Sequence, residues 1–369
     1  MKCPAILSTI ALAAAVSTIG IGAQGRRGGG PPDGAPASGT IERITVHGKA
    51  LEGNLEGDSP DREVTVYLPP GYGSDQTRRY PVVYLLHGYA NRDDVFVTSG
   101  IVKFQERADR LASAQGFSAP IIVTPNAFTL HKGSMYSASP TIGDWERFVA
   151  EDLVGYIDGH YRTIATRMSR GLAGHSMGGH GALRIGMKRP DVFSSVYVMS
   201  ACCLTPDSVQ EPGAMAAAQA ITTREQAEEA ARAPELFGPS VVLAWAAAWS
   251  PNPNRPPLFL DLPVQNGKTR ADIVAKWEAN APVTMVERYQ ANLKALYSIA
   301  IDIGTRDTLL ASNRELHAAL TRLRIPHSYE EYDGDHTNHV GDRFERNLLP
   351  FFSKNLAAPA NPTSPGVKD

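Results

Sequence analysis

The stretch Gly171-Leu172-Ala173-Gly174-His175-Ser176-Met177-Gly178-Gly179 reads as a short apolar strand running into a sharp turn. A helix-compatible segment, His180 to Met187, follows it. A serine on a tight strand-to-helix turn must adopt a strained backbone, and side chains two residues to either side would collide with their neighbours, so glycines at 174 and 178 are a steric requirement. Such a turn presents the Ser176 hydroxyl at a helix N-terminus, where backbone N–H groups face any developing oxyanion. A glycine-rich turn carrying a bystander serine is the bland alternative; the strand before and the helix after favour the nucleophile.

Outward from this turn, short β-branched runs alternate with segments of helical period. Ile41–Val46 and Glu63–Leu68 alternate apolar with polar, as edge or antiparallel strands do. Val82–Leu86, Ile121–Val123, Gly171–Ala173, Val196–Met199 and Ser298–Ile301 are continuous apolar runs of the kind buried on both faces of a parallel sheet. Asp144 to Arg162 carries Trp145, Phe148, Val149, Leu153, Val154 and Ile157 at three- and four-residue steps, which predicts a long amphipathic helix. Further helices are expected near 101–115, 178–189 and 308–323. The fold class is therefore α/β, a mainly parallel central sheet with helices on both faces. Between Cys203 and about Ala291 the strand rhythm stops, and an Ala-rich and then Pro-rich stretch reads as a cap insertion at about 203–291 of one domain, 39–356.

Both ends differ in character. Residues 1–25 begin with one lysine and an apolar run, Ala5 to Ala23, that ends in Ala23-Gln24-Gly25, the pattern of a cleaved signal peptide. This predicts a secreted or periplasmic protein with no stable membrane insertion after cleavage. Residues 26–38 form a Gly/Pro leader and 357–369 a tail of similar composition, both expected to be flexible. With 36 Lys+Arg against 38 Asp+Glu the net charge is −2, which offers no field for a nucleic-acid backbone. Removal of Cys3 with the signal leaves Cys202 and Cys203, adjacent, and the expectation is two small apolar residues rather than a redox pair.

A serine hydroxyl needs a positioned base, and on this kind of turn the acid and then the histidine follow it in the chain. Among His317, His327, His336 and His339, the first falls mid-helix and the second opens a strand-like run to Tyr332. His336 follows the turn Asp333-Gly334-Asp335 and is preferred to His339. Asp302 and Asp307 bracket the end of the strand at Ile301; Asp307, on the turn after Gly304-Thr305-Arg306, is preferred, with Asp302 as a brace. The oxyanion hole is assigned to the amides of Met177 and of Tyr89, the latter after the strand-ending His87-Gly88. His87, Gly88, Tyr136, Trp145 and His175 are candidate substrate-binding residues, with core packing the competing reading for Tyr136 and Trp145.

PPGY at 69–72, YLLHG at 84–88, GHSMGG at 174–179, Gly304 with Asp307, and Gly334 with His336 resemble the putative esterase family of esterase D. That family includes S-formylglutathione hydrolases, feruloyl and acetyl-xylan esterases, and mycolyltransferases. The resemblance implies an α/β-hydrolase fold, no metal and no organic cofactor, with Ser176, Asp307 and His336 at the triad positions. It implies a serine esterase acting on a small-molecule or carbohydrate-linked ester. An acyltransferase, or a non-catalytic hydrolase-fold binding protein, is the alternative. The departures from the family lie in the insertion and in Thr337-Asn338-His339, where relatives often carry an aromatic residue.

Overall fold

The computed structural model describes residues 38–100, 102–205 and 212–358. The expected signal peptide, nearly all of the leader and most of the tail lie outside them. Ser38 and Ala357, placed by the sequence reading in the leader and the tail, are tied down: the Ser38 hydroxyl donates to Asp109, and the Ala357 amide donates to the Met168 carbonyl at 2.9 Å. Among the described residues no helix is long and apolar enough to cross a membrane.

Eight strands form one sheet: β1 (Thr40–His47), β2 (Asp61–Leu68), β3 (Val82–Leu86), β4 (Ile121–Pro125), β5 (Arg170–His175), β6 (Ser195–Met199), β7 (Ser298–Gly304) and β8 (Ser328–Tyr332). Their order across the sheet is β1-β2-β4-β3-β5-β6-β7-β8. β1 pairs antiparallel with β2, and β2 with β4; every later pairing is parallel. The continuous apolar runs occupy the centre because both faces are buried. Val82, Tyr84 and Leu86 join one core with Leu172, Val196 and Val198, while Val83 and Leu85 join the other with Ala173, Tyr197, Phe344 and Phe352. Each buried branched or aromatic side chain contributes roughly 1.5–3 kcal/mol, so the two faces supply most of the driving force.

Parallel pairing sends the carboxyl ends of β3, β5, β6, β7 and β8 to one edge. The register sets Leu86 beside Gly174, His175 beside Met199, and Met199 beside Asp302, which brings the following turns together. Helix α1 (Met177–Lys188) leaves directly from the turn after β5. The helix expected over 144–162 spans Trp145 to His160, capped by Asp144, which accepts from the Arg147 amide, and its middle, Phe148–Leu153, widens into a π-helical segment that apolar periodicity does not register.

The insertion between β6 and β7 contains α2 (Pro212–Ala220), α3 (Arg224–Arg232) and α4 (Phe237–Trp249), then three further helices over 271–295. A small hairpin, Val264–Gln265 against Lys268–Thr269, was not anticipated from the sequence. α4 is buried along most of its length because Trp245 and Trp249 pack together with Trp277. Trp249 Nε1 donates to Ser137 Oγ at 3.1 Å and Ser139 Oγ to the Ala247 carbonyl at 2.6 Å, so the insertion shares the core of the sheet.

Candidate active site

Ser176 sits at φ 58° and ψ −118°, a conformation that costs a non-glycine residue roughly 1–3 kcal/mol. The neighbours make it unavoidable: a Cβ at 174 would strike the Gly178 backbone, and a Cβ at 178 would strike the Leu86 carbonyl. The strained serine is held at both ends. Its amide donates to the Met199 carbonyl at 3.0 Å, and its carbonyl accepts from the amides of His180 at 3.1 Å and Cys202 at 3.2 Å. Met177 begins α1, so its amide is one of the N-terminal donors that a helix leaves without an internal acceptor.

Two turns from the far side of the sheet meet beside His175, the neighbour of the serine. Gly304 has no side chain because a Cβ there would enter the Gly334 backbone, and this contact sets the turn after β7 against the loop after β8. Across it, His336 Nδ1 and Asp307 Oδ2 lie 2.8 Å apart. The Asp307 side chain is fully buried, while a third of His336 is exposed. Burial works against the charged Asp307 carboxylate, yet the bonds from His336 and from the Leu309 amide outweigh it and hold the carboxyl below its ordinary range. Engagement of Nδ1 leaves Nε2 as the imidazole nitrogen for proton exchange.

His175 contributes more than its place in the motif suggested. Its ring lies 4.7 Å from that of His336, and its Nε2–H donates to the His336 carbonyl at 2.8 Å. Burial, followed by the neighbouring His336, pushes its pKa down to about 4, which keeps it a neutral donor.

The turn after β3 supplies the opposite wall. Gly88 comes so close to the nucleophile that a Cβ there would lie 3.4 Å from Ser176 Cβ. Gly133 packs in the same way on the Tyr89 ring and the Met177 side chain. His87 is completely buried: it donates from Nδ1 to the Gly88 carbonyl and accepts at Nε2 from the Ala127 amide, both at 2.8 Å. Burial lowers its pKa to about 4, so it stays neutral and braces the turn.

Three of the five candidate substrate contacts are thus core residues. His87 is consumed by its two backbone bonds. Tyr136, fully buried against Gly181, donates its hydroxyl to the His87 carbonyl at 3.1 Å. Trp145 donates to the Ile142 carbonyl and packs edge-on against Phe148. Gly88 and His175 flank Ser176 at the carboxyl edge of the sheet. The other candidates separate cleanly: His339 meets Asp342, His317 meets His327, and Asp302 is buried with Arg343 and Tyr197.

The reading of the two cysteines is overturned. Cys202 and Cys203 are joined by a disulfide, and the segment that carries it is tied to Ser176, since the Cys202 amide is one of the two donors to the Ser176 carbonyl. Adjacency of two cysteines carries no sign of this. Phe237 was also not singled out; it opens α4, is half exposed, and meets the Tyr89 ring edge-on at 5.4 Å.

Residues 59–350 match the putative esterase family. The chain belongs to that family. The chain is 30% identical over 158 residues to an endo-1,4-beta-xylanase/feruloyl esterase of Xylanibacter ruminicola, a stretch covering 41% of the chain and 21% of the relative. It is 28% identical over 290 residues to the esterase Rv1288 of Mycobacterium tuberculosis, covering 74% and 52%. The chain therefore spans about a fifth and about half the length of these two relatives. A solved ferulic acid esterase superposes with a TM-score of 0.61 at 25% identity, over 86% of this chain and 100% of that one. An S-formylglutathione hydrolase of Staphylococcus aureus superposes at 0.56 with 15% identity, over 85% and 99%, a likeness of fold.

Proposed function

We propose that this putative esterase is a serine carboxylic-ester hydrolase working through an acyl-enzyme. The observation that carries the reading is the bond of the buried Asp307 carboxylate to His336, whose ring packs on His175, the neighbour of a serine held in a strained turn. His336 Nε2 takes the Ser176 proton as Oγ attacks the ester carbonyl carbon. The oxyanion is received by the amides of Met177 and Tyr89, and Asp307 stabilises the imidazolium. His336 then returns the proton to the leaving alcohol oxygen. Water, deprotonated by the same imidazole, attacks the acyl carbon and releases the acid and Ser176.

The feruloyl and ferulic acid esterases among its relatives favour an acyl or feruloyl-type ester, with carbohydrate as the alcohol, and the exposed Phe237 ring beside Tyr89 supplies an aromatic surface at the cleft rim. The apolar segment Ala5 to Ala23 supports export, which would place such esters outside the cytoplasm. The test is hydrolysis of p-nitrophenyl acetate and methyl ferulate by wild type and Ser176→Ala. Turnover that disappears in the variant supports the reading, and turnover that survives in it refutes the reading.

A further inference from the structure

A cavity of about 540 Å³ opens between the start of β2, the loop after β4 and α3. It adjoins the catalytic edge, because the loop that lines it through Leu130 continues to Gly133, which packs on Met177 and Tyr89. β4 and β2 stand two and three places from β5 in the sheet, so at about 4.8 Å per strand the strands flanking the cavity are offset laterally from β5 by roughly 10–14 Å. His336 comes from the loop after β8, on the other side of β5. In the proposed mechanism the leaving oxygen faces His336, and the cavity lies on the opposite side of β5.

The charges lining this cavity are unevenly committed. Asp61 takes His47 Nδ1 at 2.7 Å, Glu63 lies 3.6 Å from Arg43, and Glu228 takes Arg224 Nε at 3.1 Å. Burial raises the Asp58 pKa, against the opposing pull of the Arg62 guanidinium. Arg62 is occupied by the carbonyls of Ser59, Asn126 and Phe128. Arg92 and Arg232 have no hydrogen-bond or ion-pair partner among the described residues, and the Arg92 guanidinium lies over the Phe128 ring at 4.1 Å, which orients it and leaves its N–H edge available.

We infer that this cavity is an anion subsite, in which Arg92 and Arg232 hold a carboxylate, phosphate or sulfate at the far end of the acyl group. The inference rests on the serine-esterase reading and adds a charge requirement to it. Guanidinium recognition of such a group typically favours the charged substrate tenfold or more, about the strength of one charge-assisted hydrogen bond.

The experiment compares p-nitrophenyl half-esters of a series of α,ω-dicarboxylic acids with the same compounds capped as methyl esters, in wild type and in the Arg92→Gln/Arg232→Gln double variant. The expected result is a preference of about tenfold or more in kcat/KM for the free acid, peaking where the chain spans the distance to the cavity. It should weaken in high salt and vanish in the double variant, while p-nitrophenyl acetate turnover stays unchanged. Equal turnover of acid and capped ester at every length, or a preference that survives the double substitution, overturns the subsite and leaves the esterase reading intact. Failure to hydrolyse p-nitrophenyl acetate removes both. An Arg232→Glu variant with unaltered thermal unfolding should turn the preference toward the capped ester, which separates a local charge effect from a folding defect.

Discussion

His175 Nε2 donates to the backbone carbonyl of His336 at 2.8 Å, so the residue before Ser176 holds the residue proposed as its base. A neutral hydrogen bond of this kind contributes about 1 kcal/mol. His175→Phe keeps a ring against His336 but removes the donor. Its kcat on a nitrophenyl ester should fall several-fold, with KM little changed, as measured by steady-state kinetics; a matching loss in KM would indicate a substrate contact instead.

The acid is a separate case. Asp307→Asn preserves the shape of the turn but lets the imidazole take the wrong tautomer and removes the charge that stabilises imidazolium. The expected loss in kcat is roughly a thousand- to ten-thousand-fold. Asp302→Asn, at a carboxylate engaged by Arg343 and Tyr197, should lower the unfolding midpoint and leave far more of kcat.

Most of the fold is legible in the sequence because a parallel sheet buried on both faces demands unbroken apolar strands, and those runs appear at Val82–Leu86, Val196–Met199 and Ser298–Ile301. The elbow is legible for a related reason: its glycines are forced by contacts with Leu86 and Gly178. The pairing of Asp307 with His336 is anticipated by chain order and turn placement. What the sequence hides depends on distant partners. Nothing local distinguishes His87, clamped between Gly88 and Ala127, from a histidine facing substrate. Tyr136 and Trp145 sit where helix and loop periodicity cannot tell cleft from core, and the Cys202–Cys203 bond depends on a backbone conformation that adjacency does not reveal.

That disulfide gives a further prediction. It closes a ring on the segment whose Cys202 amide anchors the Ser176 carbonyl. Reduction by a phosphine, verified by the mass gain of two hydrogens, should lower kcat several-fold and be reversed by reoxidation. The Cys202→Ala/Cys203→Ala variant should be insensitive to the reductant. Full reduction with unchanged kinetics would show that the hydrogen bonds alone hold the elbow.

Acid stability follows from four imidazoles that burial keeps neutral. Burial lowers the pKa of His87 and His175 to about 4 and of His131 and His180 to about 3, from an ordinary 6.5. The unfolded chain therefore takes up protons that the folded chain refuses as pH falls below 6.5, and stability declines by on the order of 1 kcal/mol per pH unit for each group until the folded values are reached. Glu56 acts in the opposite sense, since burial raises its pKa and protonation on acidification relieves that cost. Urea unfolding at a series of pH values should show a net fall in stability below 6.5. His180→Asn should make that fall shallower by about one proton.

The most direct measurement is reaction of the purified protein with a fluorophosphonate probe, followed by peptide mass spectrometry of wild type and Ser176→Ala. The account predicts stoichiometric labelling of wild type on Ser176 alone, matched by loss of ester hydrolysis, and none in the variant. A wild-type protein that hydrolyses esters while its label falls on another residue, or is absent, would contradict it.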